Sequence, residues 1–201
     1  MGVSPMLSGF GNMNADRKAH VPFRDALRRP WLLTGNNTGR LFGSGSWNGF
    51  NSLVRHSDLN QDGREDVIAR EASTGKLWLY LGTGSGCLGT RKLLGSGGWN
   101  SMSRIVAFGN LSGDARADLL AVEKSTGKLW LYPGTGTGGL GARKLIGSGG
   151  WNSMNALATV GDMDIDGRAD LYASEASTGK LWLYPGRAGS FGGRVLVDSG
   201  G

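Results

Sequence analysis

Short runs of four or five apolar or β-branched residues fill this chain, each closed by a cluster of glycine, serine, asparagine or proline. Residues 99–150 show the pattern most clearly. Arg104-Ile105-Val106-Ala107-Phe108 is followed by Leu119-Leu120-Ala121-Val122, then by Leu129-Trp130-Leu131-Tyr132 and Arg143-Lys144-Leu145-Ile146. Runs this short between turn formers predict strands, and no segment sustains a helical period over three turns. In the third run Leu129 and Leu131 point to one face and Trp130 and Tyr132 to the other, so both faces are apolar. That predicts a strand covered on both sides by neighbouring sheets.

The same pattern recurs along the chain. Lys76-Leu77-Trp78-Leu79-Tyr80 returns at Lys128–Tyr132 and Lys180–Tyr184, an interval of 128 − 76 = 180 − 128 = 52 residues. Trp47-Asn48, Trp99-Asn100 and Trp151-Asn152 keep the same beat. A period this long and regular marks a tandem array whose units bury apolar surface against one another. Four strands per unit predict an all-β fold, a β-propeller of four tandem four-stranded blades. A β-helix is disfavoured because its coils are much shorter. The repeats run over 1–46, which is eroded, then 47–98, 99–150 and 151–201, within one domain 1–201. Four units fit a closed four-bladed ring, or part of a larger one.

Composition removes several alternatives. The 201 residues include 37 glycines but only 5 prolines, with 7 tryptophans, too many core-forming aromatics for a disordered low-complexity chain. No apolar run approaches the ~20 residues of a membrane span. Met1 to Phe10 lack the pattern of a signal peptide, so an exported protein would be represented here in mature or partial form. The net charge of +6 is spread over small groups, Arg24/Arg28/Arg29 being the densest, and forms no nucleic-acid-binding motif. A solvated basic surface with weak attraction for anionic polymers is the expectation. Cys87 is the lone cysteine and stands where Gly139 stands one repeat later, so no disulfide is formed within the chain.

The turn between the first and second strands carries the candidate chemistry. It reads Asp58-Leu59-Asn60-Gln61-Asp62-Gly63-Arg64-Glu65-Asp66 in one repeat and Asp162-Met163-Asp164-Ile165-Asp166-Gly167-Arg168-Ala169-Asp170 in the last. Oxygen side chains at positions one, three, five and nine, with glycine at six, suit a hard cation that takes six to eight oxygens in flexible geometry. Calcium (Ca2+) is therefore the expected cofactor, with the carbonyls of Arg64 and Arg168 as main-chain ligands. Magnesium demands stricter octahedral geometry, and an EF-hand would place glutamate where Ala69 and Ala173 stand. The alternative is an Asp/Asn/Gly turn without metal. Four carboxylates within nine residues repel one another, which argues for a neutralising ion. The loop at 110–118 keeps Asn110, Ser112, Asp114 and Asp118 and is expected to bind weakly or not at all. The loop at 12–20 keeps Asn12, Asn14 and Asp16, ends in His20, and is expected to be empty.

These loops, preceded by Phe108-Gly109 and Val160-Gly161-Asp162, make the chain resemble the FG-GAP/VCBS repeat of integrin-α-like β-propellers. The Ser-Thr-Gly-Lys-Leu-Trp-Leu-Tyr-Pro-Gly segment is similar to that of exported actinobacterial proteins with these repeats. The resemblance covers nearly the whole chain. It implies a calcium-stabilised extracellular propeller used for binding, as in fungal lectins that hold sugars between blades, or an appendage of a secreted hydrolase.

Three classes of function follow. A binding module for carbohydrate or cell-surface polymer would use Trp47, Asn48, Trp99, Asn100, Trp151 and Asn152, an indole stacking on a sugar while an amide bonds its hydroxyls. The same tryptophans can instead pack between blades, where each buries ~200 Å². A protein-interaction or self-assembly scaffold is the second class. An enzyme is the third and has little support. No nucleophile motif is present, the acidic groups are assigned to the cation, and His56 reads as a tolerated surface residue.

Overall fold

The computed structural model describes residues 12–14, 16, 18, 20–25, 29–34, 38–41 and 47–200. The expected first strand of the eroded repeat, Arg28 of the basic cluster and Met1–Phe10 lie outside the described residues. Each repeat forms one antiparallel sheet with strands in chain order. The first contains β1 (Val21–Arg24), β2 (Pro30–Leu33) and β3 (Gly39–Leu41), matching the second to fourth strands of the later repeats. The second contains β4 (Phe50–His56), β5 (Asp66–Glu71), β6 (Leu77–Gly82) and β7 (Leu88–Gly95). The third contains β8 (Met102–Phe108), β9 (Asp118–Glu123), β10 (Leu129–Tyr132) and β11 (Lys144–Gly147). The fourth joins β12 (Met154–Gly161), β13 (Asp170–Glu175), β14 (Leu181–Tyr184) and β17 (Val195–Asp198), and the hairpin β15 (Gly186–Arg187) and β16 (Ser190–Phe191) stands beside it. These all-β sheets are blades of the β-propeller class.

The chain divides into two compact units, one of Phe10–Asn100 with Thr137–Gly139, the other including Ser101–Gly136 and Leu140–Gly201. In the second of these, Phe108, Leu120, Val122 and Leu131 of one blade join Met154, Leu171 and Ala173 of the next in a single buried cluster. In the first, Met13 and Leu32 of the eroded blade pack with Val67 of its neighbour. Each fully buried leucine contributes roughly 1.5–3 kcal/mol relative to exposure. The third strand splits its two faces. Leu129 and Leu131 are fully buried, whereas Trp130 and Tyr132 are only partly covered.

Trp130 has room on its face because the residue opposite it on β9 is Ala121. The same pairing joins Trp78 to Ala69 and Trp182 to Ala173. On the other side each indole meets an arginine that lies in the fourth strand (Arg91) or immediately precedes it (Arg143 and Arg194). Arg91 stands 4.2 Å from the ring centre of Trp78, Arg143 4.0 Å from Trp130, and Arg194 3.9 Å from Trp182. A one-residue difference in register would put these partners on opposite faces, so the stacks fix the alignment of the outer strand.

The tryptophan of each Trp-Asn pair anchors a blade. Trp47 lies against Tyr80 with ring centres 4.7 Å apart, and Trp151 against Tyr184 at 4.7 Å. The backbone N–H of Trp99 donates to Gly75 at 3.1 Å, and that of Trp151 to Gly127 at 3.0 Å, tying each to the preceding Ser-Thr-Gly turn. Trp99 and Trp151 also sit directly over Gly95 and Gly147, where any Cβ would overlap the indole nitrogen. His56 differs from its sequence expectation. It is fully buried, in the place Phe108 takes one repeat later, because both end the first strand opposite a buried aspartate.

A methyl group at Gly147 forces the Trp151 anchor outward. Gly147→Ala is therefore expected to lower unfolding stability by about 1–3 kcal/mol. Gly193→Ala, which meets nothing within 4 Å, serves as the neutral control in the same urea titration.

Candidate functional site

The last three first-to-second-strand turns are variants of one backbone. In all three, positions four and six both take left-handed backbone: Gln61 and Gly63, Gly113 and Ala115, Ile165 and Gly167. The 110–118 turn has its glycine at position four and still keeps the shape, at the strain of a left-handed Ala115. Loss of glycine at position six therefore leaves the loop fold intact, and the difference between the loops lies in their donor atoms.

Position one organises each turn. Asp58 accepts the N–H of Asp62 at 3.0 Å and of Gly63 at 2.6 Å, and Asp162 accepts those of Asp166 at 3.1 Å and Gly167 at 2.7 Å. Position five holds position seven: the N–H of Arg64 donates to Asp62 at 2.9 Å and that of Arg168 to Asp166 at 3.0 Å. Asn110 plays the first role at 110–118, receiving Gly113 and Asp114 at 2.8 and 3.0 Å.

Position nine points into the blade. Asp66, Asp118 and Asp170 are all fully buried. One carboxylate oxygen of each accepts the N–H of position two: Leu59 at 3.1 Å, Leu111 at 2.8 Å and Met163 at 2.7 Å. The other accepts the N–H of the glycine 16 residues on: Gly82 at 3.0 Å, Gly134 at 3.0 Å and Gly186 at 2.8 Å. The glycine is required at the first and last of these, because a Cβ on Gly82 or Gly186 would collide with the carbonyl of Glu65 or Ala169. His20 replaces the aspartate in the eroded repeat. Its Nδ1 accepts the N–H of Met13 at 2.9 Å, and its Nε2 faces Asp16 at 3.2 Å. Burial pushes the Asp118 carboxyl above its ordinary value and raises that of Asp66 to about 6, the backbone donors opposing but not cancelling the shift.

The third position distinguishes the last loop. Asn14 donates to the carboxylate of Asp16 at 3.1 Å, Asn60 to Asp62 at 3.1 Å, and Ser112 to Asp114 at 3.0 Å. Asp164 has no proton to offer, and one oxygen each of Asp162, Asp164 and Asp166 converges within 4.8 Å. A guanidinium enters instead. Arg187 Nη1 donates to Asp166 at 2.5 Å and stands 3.5 Å from Asp164. Arg187 therefore acts as a stand-in cation, and Thr83 and Thr135 hold the corresponding positions of the other repeats. This exposed, oxygen-only cluster has the chemistry of a hard-cation site. Nothing in the spacing of the acidic residues pointed to Arg187, which arrives from a hairpin 21 residues downstream of Asp166.

The Trp-Asn pairs lie elsewhere, and most of the surface of their tryptophans is taken up by packing. Trp47, Trp99 and Trp151 are buried, and the amides of Asn100 and Asn152 donate to the carbonyls of Ala72 and Lys124, both at 2.8 Å. Asn48 is exposed beside Trp47. Trp151 lines a pocket of about 450 Å³, shared with Tyr184, Arg194, Ser148, Ser153 and the Gly147–Gly150 backbone.

The FG-GAP-like repeat profile matches residues 58–121 and 110–173, over half the chain in all, and each match begins at one of these loops. The chain belongs to the FG-GAP-like repeat family. Comparison with curated proteins finds no match. Among solved structures, the chain is similar in fold to a chain of the Photorhabdus luminescens Tc holotoxin pore, at 18% identity and a TM-score of 0.52. That likeness covers 98% of this chain and 10% of the toxin chain, and so concerns the fold alone.

Burial makes Asp66 a weaker acid in the folded protein. Its contribution to stability is complete below the ordinary value of 3.8 and is lost as pH rises through about 6, because folding penalises the ionised form. Chemical denaturation of the metal-free protein across that window should show Asp66→Asn to be less pH-dependent than the parent. An equal or steeper dependence would contradict the assignment.

Proposed function

We propose that this chain is a non-enzymatic, calcium-stabilised extracellular binding module whose ligand is a carbohydrate or cell-surface polymer. The family and fold support a binding or scaffold role, and the aromatic pocket at Trp151 and Tyr184 carries the carbohydrate reading. A concave site with aromatic walls, two serine hydroxyls and exposed glycine backbone offers both stacking and hydrogen bonding to a sugar ring. The reading uses Trp151 as a wall and gives Asn152 no part. Among the described residues no helix is long and apolar enough to cross a membrane.

Calcium belongs to the loops. Asp58, Asn60, Asp62 and the Arg64 carbonyl would hold it in one blade, and Asp162, Asp164, Asp166 and the Arg168 carbonyl in the last. Asp66 and Asp170 close the loops from the buried side. Bound there, the ion would neutralise the converging carboxylates and fix the turn between the first two strands. At the last loop it must displace Arg187.

A second reading, an assembly scaffold, rests on the outer strand β17. Val195, Leu196 and Val197 are each about half exposed on a sheet edge, the kind of strand that pairs with another chain. Concentration-dependent oligomers together with silence on a glycan array would favour it.

Calcium should raise the melting temperature and a chelator lower it, with affinity on the order of 10⁻⁴–10⁻³ M for sites of the extracellular kind. Asp164→Ala should remove much of the shift and Asp114→Ala little. Arg187→Thr should tighten binding by up to about fivefold, the worth of an exposed ion pair. A weaker site in Arg187→Thr would show that the guanidinium supports the cation and does not replace it.

Glycan-array binding tests the pocket. Gly149→Tyr places a bulky ring at an exposed glycine on its rim and should abolish binding, while Trp99→Ala, outside it, should not. The opposite result would assign the ligand to the Trp99-Asn100 pair.

A further inference from the structure

We propose that the ligand of the Trp151–Tyr184 pocket is an acidic sugar, a uronic-acid residue of an anionic polysaccharide, whose carboxylate is held by Arg194. The inference rests on the pocket reading above and adds the chemical class of the ligand. Arg194 lines the pocket and sits over Trp182, with its guanidinium carbon 3.9 Å from the ring centre. Stacking uses one π face and leaves the in-plane N–H groups directed outward. Among the described residues no carboxylate or carbonyl takes those donors. Arg194 therefore combines a fixed orientation with unspent hydrogen-bonding capacity.

A carboxylate fits this arrangement better than a neutral hydroxyl. The planar fork of a guanidinium pairs with two carboxylate oxygens at once, and a charge-assisted pair is about twice as strong as a neutral one. Uronic acids carry that carboxylate on a ring whose apolar face can lie against Tyr184 beside the Trp151 wall; Ser148 remains for hydroxyls, and Ser153, whose O–H donates to the Gly150 carbonyl at 2.7 Å, remains as an acceptor. No acidic side chain is among those lining the pocket, so a bound anion meets no repulsion there.

The device is repeated. Arg143 stands on Trp130 in the neighbouring blade as Arg194 stands on Trp182, and Arg91 on Trp78 in the blade before, at intervals of 143 − 91 = 52 and 194 − 143 = 51 residues. All three arginines are exposed. Within the unit that holds the pocket, Arg143 and Arg194 repeat the cation just before successive outer strands, which favours a ligand that repeats its charge along a chain over a single small anion. Uniform surface basicity would not need each guanidinium to be immobilised on an indole.

The test compares two probes of matched length by calorimetry, an oligogalacturonate and a neutral oligogalactose. The acidic probe should bind at least about tenfold more tightly, and its affinity should fall as salt rises from about 0.05 to about 0.5 M. Arg194→Gln should lose about tenfold for the acidic probe and little for the neutral one. Arg194→Lys should recover only part of the loss, because the charge returns without the planar fork. Lys124→Gln, an exposed cation outside the pocket, should change nothing, and circular dichroism checks that each variant folds.

Equal affinity for both probes, blocked by Gly149→Tyr, would overturn the acidic specificity and leave the pocket reading standing. Equal losses in Arg194→Gln and Lys124→Gln would show diffuse charge and overturn the assignment to Arg194. Binding of neither probe would defeat both readings. Arg194-dependent binding to vesicles containing anionic lipid, with no response to oligogalacturonate, would also overturn the proposal.

Discussion

Each of the last three blades hangs on a buried carboxylate. Asp66, Asp118 and Asp170 place a negative charge where water does not reach, and each offers one oxygen to its own turn and the other to the glycine that follows the third strand. Three strands are thereby fixed to one side chain. Burying an anion is costly, and the raised pKa values of Asp66 and Asp118 record that cost. The backbone donors offset part of it. A cation in the loop would offset more, which links the internal clamp to the acidic groups exposed above it.

The remaining chemistry of the turns follows from how each balances its charge. In the first three loops a neutral side chain at position three donates to the carboxylate at position five. The last loop gives up that donor for Asp164, gains a better oxygen cage, and brings in Arg187 to balance it. The loop with the strongest ligand set thus also carries a built-in competitor. The eroded repeat reaches a different balance, in which His20 takes over the backbone bond of the missing aspartate and faces Asp16. Erosion here keeps the hydrogen-bond scaffold and discards the cage.

Much of this was legible in the sequence because the repeat supplies its own controls. The strands, the 52-residue unit and the acidic turns could be read from a single chain, since the same residues return in the same order. Pairings across the sheet were hidden. The role of Gly82, Gly134 and Gly186 depends on a partner 16 residues away, though their own 52-residue spacing was a signal that could have been followed. His56 reads as a surface residue beside a polar turn, yet the strand places it where a phenylalanine stands one repeat later. The Trp-Asn pair carries two meanings in sequence, stacking or packing, and packing at Trp99 and Trp151 depends on the glycines that these indoles cover.

The central claim is that the exposed carboxylates are held in place for a divalent ion. A crystal structure determined from millimolar calcium tests it most directly. The account predicts an ion coordinated by Asp58, Asn60 and Asp62, and a second among Asp162, Asp164 and Asp166 with the Arg187 side chain turned away. Solvent in both turns, with Arg187 still bonded to Asp166, would contradict it.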